Sequence, residues 1–192
     1  MADSETSEIA RETVPVAAPA APAWLIRLAN RPFAVLTLLG LLLWLPGVLS
    51  LPALDRDESR FAQSSRQMVE SGDVVDIRFG HVPRYKKPIG IYWLQAASTK
   101  LAGLLPPNQG RDDRIWTYRL PSLLGAIAAS WLTVWCALAV TGGEAAFLAG
   151  LMMLGTVLLT AEATIATTDA VLLACVLGVQ GVLLRLYRSA RE

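Results

Sequence analysis

Asp55, Asp57 and Glu58 put three carboxylates within four residues, with Arg56 among them. Carboxylates this close can supply a proton acceptor or hold a divalent cation. The same residues also suit a helix start, Asp57 serving as the cap, with a surface charge cluster around it. A second group is Arg84-Tyr85-Lys86-Lys87 before Pro88. Lysines beside an aromatic ring can hold a phosphate as point charges, and a solvated basic loop has the same composition. Asp169 is the third candidate, at the edge of an apolar run in Ala166-Thr167-Thr168-Asp169-Ala170. It reads as a charge with a task or as the cap of the following helix. His81, the only histidine, and Glu162 read as loop residues, and Arg119 as an interfacial anchor. Cys136 and Cys175 sit inside apolar runs and read as small hydrophobes.

The elements that carry these groups follow from the distribution of charge. The chain has 192 residues, of which 54% are hydrophobic and 17% charged, with a mean hydropathy of +0.44. Soluble chains carry about 25% charged residues, so this composition points to a membrane protein. A net charge of +1 gives no field for a nucleic-acid partner. Charge-free runs over 32–54 and 120–143 are each long enough to cross a bilayer. The stretch 145–184 is twice too long for one helix, so it divides near 162–169 into spans over 145–161 and 164–184. Residues 1–23, rich in Ala, Pro and Glu, form no core and are expected to be a disordered cytoplasmic tail before a membrane domain over 24–188. Arg27 and Arg31 before the first span, and Arg185, Arg188 and Arg191 after the last, place both termini in the cytoplasm and the 55–119 loop outside. No GxxxG spacing supports helix pairing.

The outer loop has its own pattern. Phe61, Ala62, Ser65, Met68 and Val69 share one helical face, ended by Gly72. A second helix starts at Pro88, with Ile89, Tyr92, Trp93 and Ala96 as its apolar stripe and Gly103 at its end. Both helices are expected to lie along the bilayer surface. The segment between them, 73–87, reads as extended.

Three ordered segments carry a resemblance. Leu54-Asp55-Arg56-Asp57-Glu58-Ser59-Arg60-Phe61-Ala62, then Met68-Val69-Glu70-Ser71-Gly72-Asp73, then Tyr85-Lys86-Lys87-Pro88-Ile89-Gly90-Ile91-Tyr92-Trp93-Leu94 resemble the first outer loop of GT-C glycosyltransferases. The nearest group is the bacterial relatives of protein O-mannosyltransferase and of the aminoarabinose transferase that modifies lipid A. Arg119-Leu120-Pro121-Ser122 and the segment before Asp169 are similar to the same group, so the likeness runs from about residue 33 to residue 188.

The resemblance implies an all-α, polytopic fold with about four spans and two interfacial helices. It implies a polyprenyl-phosphate sugar as donor and transfer to an acceptor hydroxyl on the outer face of the inner membrane. Asp57 matches the family's catalytic acidic residue, which would orient or deprotonate the acceptor hydroxyl, and Asp169 matches its second acidic residue. Lys87 matches the lysine that holds the donor phosphate, with Lys86 and Arg60 beside it; Glu58, Tyr85 and Arg119 are further candidates. Some relatives carry a metal-binding glutamate where Lys86 stands here, which disfavours a divalent metal at this site without removing it, and the sequence shows no other required cofactor. Family members have many more spans, which makes these residues the N-terminal part of a transferase or one subunit of a split one, completed by further helices. A module that binds polyprenyl or anionic lipid without catalysis is the alternative. A transporter is disfavoured, because the spans lack ionisable groups apart from Asp169.

Overall fold

The computed structural model describes residues 23–191 except 54, 107, 108, 110 and 112. The expected tail lies outside the described residues up to residue 22. Eight helices follow in chain order among the described residues: α1 Ala23–Ala29, α2 Pro32–Ser50, α3 Arg56–Ser71, α4 Ile89–Gly103, α5 Ile115–Ala137, α6 Gly143–Leu154, α7 Val157–Thr164 and α8 Asp169–Ser189. Two short strands, β1 Arg78–Phe79 and β2 Val82–Pro83, form a hairpin between α3 and α4. The molecule is an all-α, multi-pass membrane protein. Helices α2, α5 and α8 are each long and apolar enough to cross a bilayer; α6 and α7 are so only as a pair, bent by 60° at their break, the shape of a broken span or of a re-entrant loop.

The span boundaries differ from the sequence expectation for identifiable reasons. Helix α2 stops at Ser50, not residue 54, because Pro52 cannot continue it. Helix α5 starts at Ile115, so Arg119 lies inside its first turns. The run 145–161 is not one straight helix: it breaks at Gly155 and Thr156, between α6 and α7. The last span takes no length from 164–168. It runs on through Arg185 to Ser189, and Arg185 folds back onto the Trp135 ring, 4.5 Å from its centroid.

Helix α5 is the axis of the bundle and packs against α2, α4, α6, α7 and α8. Leu36, Trp44, Val48, Ile127, Phe147 and Leu159 form its core with neighbouring helices. Helices α2 and α5 are antiparallel: the Trp131 indole near the end of α5 donates to the Phe33 carbonyl at the start of α2, 3.1 Å away. Close approach of α5 to α8 depends on Gly125, where an added Cβ would stand 2.8 Å from the Val171 nitrogen. Small residues therefore set this contact without a GxxxG repeat.

Helices α3 and α4 pack on each other, and α4 packs on the first half of α5. Their joint is a second core of Phe61, Met68, Ile77, Ile91 and Tyr92, with Val171 of α8 against it. Helix α3 ends at Gly72, whose φ of 73° suits glycine and whose N–H bonds the Met68 carbonyl. Asp57 is not the cap. Asp55 holds that position without a side-chain cap bond, and Asp57 lies in the first turn. The buried stripe of α4 is Ile91, Tyr92, Gln95, Thr99 and Ala102, more polar than the expected one, and Trp93 is exposed.

Candidate functional site

Among the described residues, a dense polar arrangement centres on Glu58 and Arg119, both completely buried. Arg119 Nε donates to Glu58 Oε1 at 2.6 Å, and Nη2 donates to Oε2 at 3.1 Å. The rest of the guanidinium faces the end of α2. Nη1 donates to the carbonyls of Val48 at 3.1 Å and Leu51 at 2.7 Å, and Nη2 to that of Pro52 at 2.9 Å. These are carbonyls that a helix end leaves without intrahelical partners. The planar five-donor fork of arginine suits such a cluster; the point charge of lysine would not reach all of it. Glu58 Oε1 also accepts the Ala166 N–H at 3.0 Å, in the turn that leads into α8. One ion pair thus joins four pieces of chain: the exit of α2, the start of α3, the start of α5 and the approach to α8.

That joint ties the first turn of α3 to the segment before α8, and two of the expected acids flank these two places. Asp57 follows Arg56 in the first turn of α3, with its side chain 55% exposed, and accepts from Arg60 Nη1 at 3.3 Å. Asp169 is the first residue of α8 and is exposed. The turn before it is firmly held. Ser122 Oγ donates to the Thr167 carbonyl at 3.1 Å, and Thr167 Oγ1 donates to Glu162 at 2.6 Å. Glu162 is therefore more than a loop charge.

The basic group is held against the same end of the bundle. The Arg84 N–H bonds the Ile77 carbonyl at 2.7 Å, and its guanidinium lies over the Phe61 ring, 5.7 Å from the centroid. Phe61 packs on Tyr92 with centroids 5.4 Å apart. Lys86 and Lys87 lie between this anchor and the start of α4, and both are exposed. The first turn of α4 carries no acidic residue and no side-chain cap, so its N–H groups add positive potential beside the lysines. Glu58 and Arg119 are the buried framework of this end of the molecule; Asp57, Lys86, Lys87 and Asp169 are exposed and Arg60 half-buried around it.

Asp76 had no place in the sequence reading, and it organises the loop before the lysines. It accepts the Tyr85 hydroxyl and, at 2.6 Å, Arg78 Nε. The Tyr85 hydrogen bond and then the Arg78 bond hold the Asp76 carboxyl below its ordinary value. The same bond raises the Tyr85 phenol. Asp73 is lowered by the N–H groups of Asp76 and Val75, which it accepts at 3.0 and 2.9 Å. Nothing in the sequence of this stretch separates Asp76 from an ordinary loop acid. Among the described residues no three His, Cys, Asp or Glu side chains converge as a metal site.

Comparison with known proteins turns this geometry into a family assignment. Residues 86–191 match the family described as dolichyl-phosphate-mannose-protein mannosyltransferase. The chain belongs to that family. Within it, the chain is similar to the undecaprenyl phosphate-alpha-4-amino-4-deoxy-L-arabinose arabinosyl transferases of Aeromonas salmonicida (strain A449) and Aeromonas hydrophila. They are 32% and 31% identical over 120 residues, which is 62% of this chain in each case. The chain spans only 20% of the length of either relative. The fold matches the crystal structure of ArnT from Cupriavidus metallidurans in the apo state, with a TM-score of 0.68 and 25% identity, over 79% of this chain and 26% of that one. The family membership is that of a GT-C glycosyltransferase, and the matched part is the N-terminal one.

Proposed function

We propose that these residues form the catalytic and donor-binding part of a glycosyltransferase that uses a polyprenyl-phosphate sugar. The acceptor hydroxyl attacks the anomeric carbon of the sugar. As the new C–O bond forms, the bond from that carbon to the lipid phosphate oxygen breaks. Asp57 takes the hydroxyl proton, and Arg60, 3.3 Å away, orients its carboxylate. The leaving phosphate gains charge, which Lys87, Lys86 and the N–H groups opening α4 receive. Asp169 orients the acceptor from the opposite side. The site works at the face of the inner membrane away from the cytoplasm, and further helices, in the same chain or in a second subunit, complete its walls.

What supports the reading is the Glu58–Arg119 joint. It ties the turn that bears Asp57 to the turn that precedes Asp169, at the end of the bundle where the lysines also lie. The names of the Aeromonas relatives, which join an undecaprenyl phosphate to a sugar, support the donor class.

The test is Asp57→Asn in the native protein, assayed in its own membranes for sugar transfer from an undecaprenyl-phosphate donor. The expected loss is about 10²- to 10⁴-fold, the usual contribution of a positioned general base, with thermal unfolding unchanged. Transfer at the wild-type rate would remove Asp57 from the mechanism. Donor binding by the wild type without any transfer would leave a lipid-binding module as the better reading.

A further inference from the structure

A groove of about 600 Å³ runs along the bundle at the end opposite the candidate site, lined by Phe33, Ala128, Trp131, Leu132, Trp135, Gly178 and Val182. It lies between the start of α2 and the later halves of α5 and α8. Its lining is almost wholly apolar, yet its end is cationic. Arg185, one turn beyond Val182, stacks on Trp135 and donates from Nη2 to the Trp135 carbonyl at 2.8 Å. Arg185 Nε is buried with no hydrogen-bond partner, and among the described residues no carboxylate pairs with the guanidinium. Arg31, two residues before Phe33, is exposed at the same end. A half-buried cation with an unmet donor, at the mouth of an apolar groove, fits an amphiphile with an anionic head.

We propose that this groove binds one anionic phospholipid, an acyl chain lying against Trp131 and Gly178 and the headgroup phosphate meeting Arg185 and Arg31. Apolar lining and charge at one end separate this occupant from a zwitterionic lipid, whose head would present Arg185 with a second cation. The site is independent of the proposed transfer chemistry, since Gly178 and Val182 lie nine and thirteen residues along α8 from Asp169.

Native mass spectrometry of the full chain tests it, with dioleoyl phosphatidylglycerol and dioleoyl phosphatidylcholine offered in equal amounts. The wild type is expected to keep one phosphatidylglycerol in preference to phosphatidylcholine. Arg185→Gln is expected to cut that preference about five-fold, as for one basic residue at an anionic surface. Gly178→Leu is expected to abolish retention of either lipid. A Cβ there meets only Leu132 Cδ1 at 4.0 Å, so the larger side chain fills the groove without moving the backbone. Equal retention of the two lipids by the wild type would overturn the proposal. So would undiminished retention by Gly178→Leu, or no retained lipid at all, the result expected if polypeptide covers the groove.

Discussion

Asp57 and Glu58 are neighbours in the chain with opposite surroundings. Glu58 is sealed from solvent, and both its oxygens are occupied by Arg119 and the Ala166 N–H. Asp57 faces outward and meets Arg60 at 3.3 Å. One helical position separates a sealed carboxylate from one open to solvent. A buried ion pair is costly to leave half made, and an exposed one contributes little to stability. The contrast teaches that the charges which fix this end of the molecule and those free to meet a ligand are different residues, although the sequence presents them side by side.

The comparison can be broken most severely from the framework side. Glu58→Ala leaves Arg119 buried and unpaired and frees the Ala166 N–H. It is expected to cost about 3–5 kcal/mol, read as a lowered midpoint of unfolding in detergent. Asp57→Asn is expected to leave that midpoint within about 0.5 kcal/mol of the wild type, as for other surface changes, while it removes transfer. If the two variants lose stability equally, the division between framework and reagent is wrong. Lys87→Ala and Lys86→Ala come next: each is expected to weaken binding of undecaprenyl phosphate about five-fold, with stability untouched.

The smallest effect concerns the loop behind the lysines. Asp76 lies below its ordinary value, so its bonds hold the loop at neutral pH and are lost only as pH falls below 3.8 and through the lowered value. Tyr85 lies above its ordinary value, so its contribution is complete below pH 10.0 and is lost as pH rises through the raised value. Asp76→Asn is expected to return the Tyr85 titration toward its ordinary value in an ultraviolet phenolate titration, with transfer activity little changed. An unmoved Tyr85 titration would show that this bond does not hold the loop in solution.

Much of the framework was legible from periodicity and punctuation. Phe61, Ser65 and Met68 lie on the buried face that their spacing predicts, Gly72 ends α3, and the chain does break between Glu162 and Asp169. Other features were hidden for physical reasons. Arg119 at the head of an apolar run looks the same in sequence whether it anchors at a surface or reaches into a buried carbonyl cluster. Glu58 could not be told from Asp55 and Asp57, because one of its partners is a backbone N–H with no side-chain signature. Arg185 reads as a terminal charge until its stem is seen lying on Trp135. The break at Gly155 and Thr156 falls in a charge-free run, where hydropathy has nothing to register. Within the site, the charged residues were visible as types; which of them were buried was not.

The reach of Arg119 also bears on how the protein is made. The carbonyls of Val48, Leu51 and Pro52 wait for a side chain that lies 67 to 71 positions further along the chain. Ala166, the last member of the joint, emerges 108 positions after Glu58. During synthesis the first crossing therefore enters the bilayer with its far end unfinished, and the start of α3 has no fixed seat until α5 has followed. Each such closure costs chain entropy that grows with the logarithm of the intervening length. The joint at the end of the molecule that carries the acids is thus complete only once the approach to α8 is in place.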